Sequence, residues 1–121
     1  SARRSIFLAW HGPFLRAHSV FQPAGTNVNI AALRADGSID IRTYERGVEG
    51  ETLACGTGAA AVALIALQKY HLPSPIQIRS LGGQIDVHVN GCDLTLVGDA
   101  LKVFAGMYTT PGGVYHKSCK V

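Results

Sequence analysis

Apolar and polar positions along the chain change their period several times, and each change marks an element. Ala2 to Trp10 reads as a short helix that Gly12-Pro13 is expected to stop, with one further turn over Phe14 to His18. After a loop at Gln22 to Gly25, Thr26 to Arg34 reads as a strand and Asp36-Gly37 as a turn. Ile39, Ile41 and Thr43 then alternate with Asp40, Arg42 and Tyr44, the period of two that marks a half-buried strand. The two strands with their short turn make a hairpin. Gly47 to Glu51 is a glycine-rich, acidic loop.

The alternation gives way at Gly56 to Tyr70, a long helical stretch with an unbroken apolar run from Ala59 to Leu67. A helix apolar all round is expected to be buried on all sides, and its alanines let strands approach closely. Pro73 and Pro75 are expected to end it. Ile76 to Leu81, Gln84 to Val89, Asp93 to Val97 and Leu101 to Tyr108 then read as four short strands, with Gly82-Gly83 and Asn90-Gly91 as hairpin turns. Thr109 to Val121, rich in small and polar residues, reads as a tail, and there is no internal repeat. Strands, one long helix, then more strands imply an α+β domain: a curved, mostly antiparallel sheet wrapped around one buried central helix.

Composition narrows the function classes. At 121 residues, 47% hydrophobic and 16% charged, the chain suits a single packed domain and not a disordered one. A net charge of +3 spread over scattered Lys and Arg forms no basic stripe, so no nucleic-acid partner is expected. Ala59 to Leu67 is too short to span a bilayer, the start has no cleavable signal pattern, and no membrane partner is expected. Three cysteines (Cys55, Cys92 and Cys119) cannot all pair within one chain, which favours a reducing, cytoplasmic compartment. The spacings of those cysteines and of His11, His18, His71, His88 and His116 suit no metal site. The first residue is not Met, as expected of a piece of a longer protein.

The candidate chemistry sits between Tyr44 and Ala59. Cys55 stands at the predicted N-terminus of the long helix, where unpaired N–H groups and the helix dipole favour negative charge on sulfur. The N–H groups of Gly56, Thr57 and Gly58 can bind a carboxylate, and glycine lets a ligand approach the backbone. A thiol beside a carboxylate nest suits removal of the α-proton of an amino acid, which needs a base and donors for the charge that develops. Inversion also needs an acid on the opposite face, so one thiol is half of such a mechanism. Cysteines are usually inert core, and that reading fits Cys92 and Cys119 better than Cys55. Gly56, Gly58 and Ala61 match a dinucleotide fingerprint, but the strand before it and the acid after it are missing. Glu45-Arg46 is either a surface ion pair or, for a bound amino acid, an ammonium and a carboxylate ligand. Asn27 and Asn29 are either solvent-facing or a polar face beside the site.

Tyr44-Glu45-Arg46-Gly47, Glu51-Thr52-Leu53-Ala54-Cys55-Gly56-Thr57-Gly58 and the upstream Gly25-Thr26-Asn27-Val28-Asn29 together resemble the diaminopimelate epimerase family, with Gly82-Gly83 and the segment ending at Tyr108 in support. Proline racemases and phenazine-pathway isomerases are similar in fold, but the Glu-Arg-Gly lead-in points to the epimerases. The resemblance implies a two-domain, pseudo-symmetric enzyme with the site between its domains. Two cysteines would act as acid and base, with no cofactor and no metal. By motif match, Cys55 would be the second catalytic cysteine, while Asn27, Glu45, Arg46, Gly56 and Thr57 would contact substrate. The reaction would interconvert LL- and meso-2,6-diaminopimelate in lysine and peptidoglycan-precursor synthesis. Residues 1–108 would be a C-terminal-type domain, incomplete at its start, and 109–121 a tail. The family's N-terminal domain, with its own catalytic cysteine, and the Asn-Pro-His motif that opens the C-terminal domain are absent. The chain alone is therefore expected to be inactive, its partner being the missing domain or a second copy of itself. The alternative from another class is a non-catalytic module that binds amino acids through the same nest.

Overall fold

In the computed structural model, residues 2–111 and 113–115 are described. The elements are α1 (Ala2–Arg16), a single 3-10 turn (Ser19–Phe21), β1 (Val28–Leu33), β2 (Ile39–Glu45), β3 (Gly50–Thr52), α2 (Gly56–Tyr70), β4 (Ile76–Ser80), β5 (Gly83–Asn90), β6 (Asp93–Gly98), β7 (Tyr108–Thr110) and β8 (Gly113–Tyr115). Six strands form one open sheet in the order β1-β2-β4-β5-β6, with β3 paired to β2; β7 and β8 form a separate hairpin. Every pairing is antiparallel except β2 with β4. Those two are parallel because the chain between them crosses over through β3 and α2. The expected α+β class and mostly antiparallel sheet are borne out.

Alternation in β2 decides which layer each residue meets. Ile39, Ile41 and Thr43 are buried on one face, where Ile39 and Ile41 join Ala59, Ala63 and Ala66 of α2 with Ile76, Ile78 and Val87. The small residues of α2 bring its backbone close to the strands, and burying each Ile or Val side chain contributes about 1.5–3 kcal/mol. Tyr44 points to the opposite face. There Gly12 of α1 lies so close to it that an added Cβ would sit 2.6–2.9 Å from the Tyr44 side chain. Buried Leu8 lies on the same helix.

Several expectations are corrected. α1 does not stop at Gly12-Pro13: it runs through Pro13 to Arg16. Proline removes one N–H but not the helix, and Gly12, just before it, packs tightly against Tyr44. The acidic loop ends in a strand, since Gly50–Thr52 pairs with Thr43–Glu45. α2 covers its predicted span but ends before the prolines, with His71 left-handed and its N–H bonded to the Leu67 carbonyl. Nor is α2 buried all round: Ala61, Ile65 and Gln68 are exposed, Ile65 at 59%, because a single open sheet covers only one face. Leu101 to Met107 is not a strand. It alternates suitably but pairs with no described strand, and a ladder needs a partner edge as well as a pattern. Part of the presumed tail is the β7–β8 hairpin; Cys119 and His116 lie outside the described residues. No described helix is long and apolar enough to cross a membrane.

A candidate active site at the N-terminus of α2

Cys55 is the N-cap of α2, with extended backbone and its side chain turned back on the first turn. Its Sγ accepts a hydrogen bond from the Gly58 N–H at 3.4 Å, lies 3.5 Å from Thr57 Oγ1, and receives the Asn27 Nδ2 donor at 3.7 Å. Sulfur thus takes the place that an Asp or Ser oxygen usually fills at a helix start. The N–H groups of Gly56 and Thr57, first in the helix, have no acceptor within it and point outward from the same turn. Cys55 is half-buried and Thr57 exposed, so a ligand has access to both.

Two neighbours hold this turn in place. Asn27 is oriented by Arg46, whose backbone N–H donates to Asn27 Oδ1 at 2.8 Å, leaving the amide NH₂ to face the sulfur. The Leu53 carbonyl, two residues before the thiol, accepts the Gly82 N–H at 2.7 Å, and a Cβ on Gly82 would crowd that carbonyl at 3.0 Å. The turn between β4 and β5 therefore anchors the approach to Cys55, a role no local signal in the sequence revealed.

The glycines of Cys-Gly-Thr-Gly prove to be spaced for protein contacts. A Cβ on Gly58 would fall 2.5 Å from Asn29 Oδ1, and one on Gly56 would fall 3.2 Å from Leu96 Cδ1. Each glycine in a helix costs about 1 kcal/mol relative to alanine, and the close approach of the β1 and β6 side chains explains why they are kept. The space at Gly58 is taken by Asn29, not left for a ligand.

The remaining site candidates are less tightly gathered. The Arg46 guanidinium donates to the Ala24 carbonyl at 2.9 Å, and no ion pair joins it to Glu45 among the described residues. Alternation puts Glu45 on the α2 side of β2, half-buried, without a hydrogen bond to Cys55. The loop between β2 and β3 is pinned through Glu49, whose Oε1 accepts from the Gly47 N–H at 3.1 Å and from Arg16 Nε at 2.8 Å. The Gly47 bond, and after it the Arg16 guanidinium, hold the Glu49 carboxyl below the ordinary carboxylate range. Arg42 pairs with Glu51 on the face of the sheet that Tyr44 shares. Cys92 is exposed in the β5–β6 turn, against the expectation of inert core. Among the described residues no group of His, Cys, Asp and Glu is placed to hold a metal.

The site is open. A groove of about 380 Å³ runs between α2 and the first two strands, lined by Ala31, Leu33, Val62, Ile65 and Tyr70 among others, but neither Cys55, Asn27 nor Arg46 lines it. The turn sets a thiol, a candidate base, next to N–H groups that are candidate donors for a carboxylate.

Comparison with known proteins identifies the family. Residues 8–103 match the diaminopimelate epimerase family. The chain is 45% identical over 98 residues to the diaminopimelate epimerase of Hydrogenobaculum sp. (strain Y04AAS1), covering 79% of this chain and 35% of that protein. It is 42% identical over 99 residues to the enzyme of Aquifex aeolicus (78% and 36%) and 57% identical over 61 residues to that of Gemmatimonas aurantiaca (50% and 22%). The chain spans about a third of the length of the first two relatives.

Proposed function

The chain belongs to the diaminopimelate epimerase family, and from that premise we propose that it carries one of two catalytic thiols of an epimerase acting on 2,6-diaminopimelate. The observation that carries the reading is the position of Cys55 Sγ, between the Asn27 and Gly58 donors, 3.5 Å from Thr57 Oγ1 and beside the free N–H groups of the first turn.

In this reading Gly56 and Thr57 receive the α-carboxylate on their N–H groups, with Asn27, Glu45 and Arg46 as further substrate contacts. Bound this way, the α-carbon comes next to the sulfur. The thiolate takes the α-proton, and the negative charge that develops on the carboxylate is stabilised by donors already aimed at it. Inversion is completed when a second thiol, on the opposite face of the carbon, returns a proton; run backwards, the two exchange roles. The chemistry asks for no pyridoxal phosphate and no metal. The second thiol belongs to the part of the family fold beyond this chain, which supplies the opposite wall of the site, so the chain by itself does not turn over. With that activity the whole protein would serve lysine and peptidoglycan-precursor synthesis in a reducing cytoplasm.

The test is deuterium incorporation at the α-carbon of diaminopimelate in D₂O. This chain alone is expected to give none, whereas this chain completed by the N-terminal part of a relative is expected to exchange. Cys55→Ala should then lower the rate by at least about a hundredfold, the usual share of a positioned acid–base group. Exchange that survives the loss of Cys55 would remove the proposal. Saturable binding of diaminopimelate by the completed protein without exchange would favour a non-catalytic binding module.

A further inference from the structure

We infer that Asn29, held by Thr43, is a positioning residue for the Cys55 thiol; the inference rests on the reading of Cys55 as the reacting group. Asn27, just before β1, and Asn29 within it both turn their side chains toward the first turn of α2. Asn27 reaches the sulfur itself. Asn29 reaches the backbone of the residue that holds the sulfur: the place of a Gly58 Cβ is filled by its amide, with Oδ1 at 2.5 Å, Cγ at 3.2 Å and Nδ2 at 3.3 Å. Gly58 is buried, and its N–H is one of the donors to Sγ.

The Asn29 amide is itself fixed. Thr43, its direct partner across the β1–β2 ladder, is 3% exposed and donates from Oγ1 to Asn29 Oδ1 at 2.7 Å. The chain of contacts runs from a buried hydroxyl in the central strand, through a side-chain amide, to the Cα of Gly58, and through its N–H to sulfur. It sets the height of the first turn of α2 above β1. Asn27 is fixed separately, through Arg46 in the loop after β2. The thiol meets both donors only if β1 and the first turn keep this spacing. Among the described residues no hydrogen bond joins Asn29 to the sulfur or to the N–H groups of Gly56 and Thr57, so it acts through the backbone of Gly58.

The experiment uses the chain with its ¹⁵N amide spectrum and the alkylation of Cys55 by iodoacetamide, with exposed Cys92 as internal reference. Cys55→Ala first identifies how far the Gly58 N–H and Asn27 NH₂ resonances respond to sulfur. Asn29→Ala is expected to move both resonances toward their Cys55→Ala positions and to lower the Cys55-to-Cys92 alkylation ratio at least threefold, with a cooperative melt retained. Gly58→Ala, which collides with the same amide from the other side, should do likewise, and the double variant Asn29→Ala/Gly58→Ala should melt higher than Gly58→Ala alone. Resonances and ratio unchanged in a folded Asn29→Ala would overturn the positioning role. If Asn29→Ala does not fold, the double variant decides: failure to relieve Gly58→Ala overturns it equally. None of these readings uses substrate, so loss of the epimerase reading in the exchange assay and loss of this inference are separate results.

Discussion

Single atoms decide how the thiol turn is held. Gly58 is glycine because an amide oxygen stands where its Cβ would go, and Cys55 caps the helix because its sulfur meets the Gly58 N–H. Thr52, directly across the ladder from Thr43, shows the opposite case: its Oγ1 is buried and has no hydrogen-bond partner among the described residues. A buried hydroxyl left unpaired costs about 1–3 kcal/mol, whereas an apolar group of the same shape carries no such penalty. Thr52→Val is therefore expected to leave stability unchanged or raise it by about 1 kcal/mol in urea denaturation. A loss of comparable size would show that the hydroxyl is paired after all. The motif from Glu51 to Gly58 was legible in the sequence as a thiol at a helix start, and Asn27 and Asn29 as a polar pair. The link from Thr43 to Asn29 was not, because it depends on strand register across 14 residues of sequence.

At the scale of elements, the loop between β2 and β3 depends on a charge supplied by α1. Glu49 lies in the left-handed region, φ 55°, a conformation that favours glycine, and its carboxylate is bonded by the Gly47 N–H and by Arg16 at the end of α1. That carboxyl titrates below its ordinary range in the folded chain, so the folded form takes up its proton later than the unfolded form does. Its stabilisation is complete at neutral pH and is lost as the pH falls through the depressed value. Asp36 behaves alike, held down first by the Ser38 hydroxyl, then by the Ser38 N–H, with Arg79 and Arg34 nearby. Melting temperatures measured from pH 7 downward should fall on the acid side, and Glu49→Gln should be less stable than the parent at pH 7, with the difference shrinking as the pH falls. A constant difference across that range would show that Glu49 acts through shape and not charge. The elements themselves were largely predicted: α2 occupies Gly56–Tyr70 as its apolar run implied. The continuation of α1 through Pro13 was not, and there Gly12 packs against Tyr44 from a distant strand.

For the whole molecule, several large apolar side chains lie uncovered among the described residues. Ile65 and Tyr70 on α2 are exposed, as is the run from Leu101 to Met107, where Leu101 reaches 87% and Phe104 83%. Large exposed apolar side chains favour association where they cluster. The chain on its own should sediment as a concentration-dependent mixture of monomer and larger species. Ile65→Lys combined with Phe104→Ser should shift that mixture toward monomer. A single monomeric boundary at all concentrations would show that these side chains find cover within the chain. The thiol turn likewise lies outside the groove between α2 and the first two strands.

Periodicity, turn residues and the Cys-Gly-Thr-Gly motif determined the α+β class, the long helix, most of the strands and the thiol at the helix start. These are local properties, set by side-chain alternation and by backbone groups left free at a helix end. Only the tertiary structure decided which face of α2 is covered, that Leu101 to Met107 lacks a ladder, and that Asn29 and Gly82 fix the thiol turn from two sides. Each of these depends on partners far apart along the chain, and a pattern of apolar and polar positions says that a surface needs a partner without saying which partner it meets.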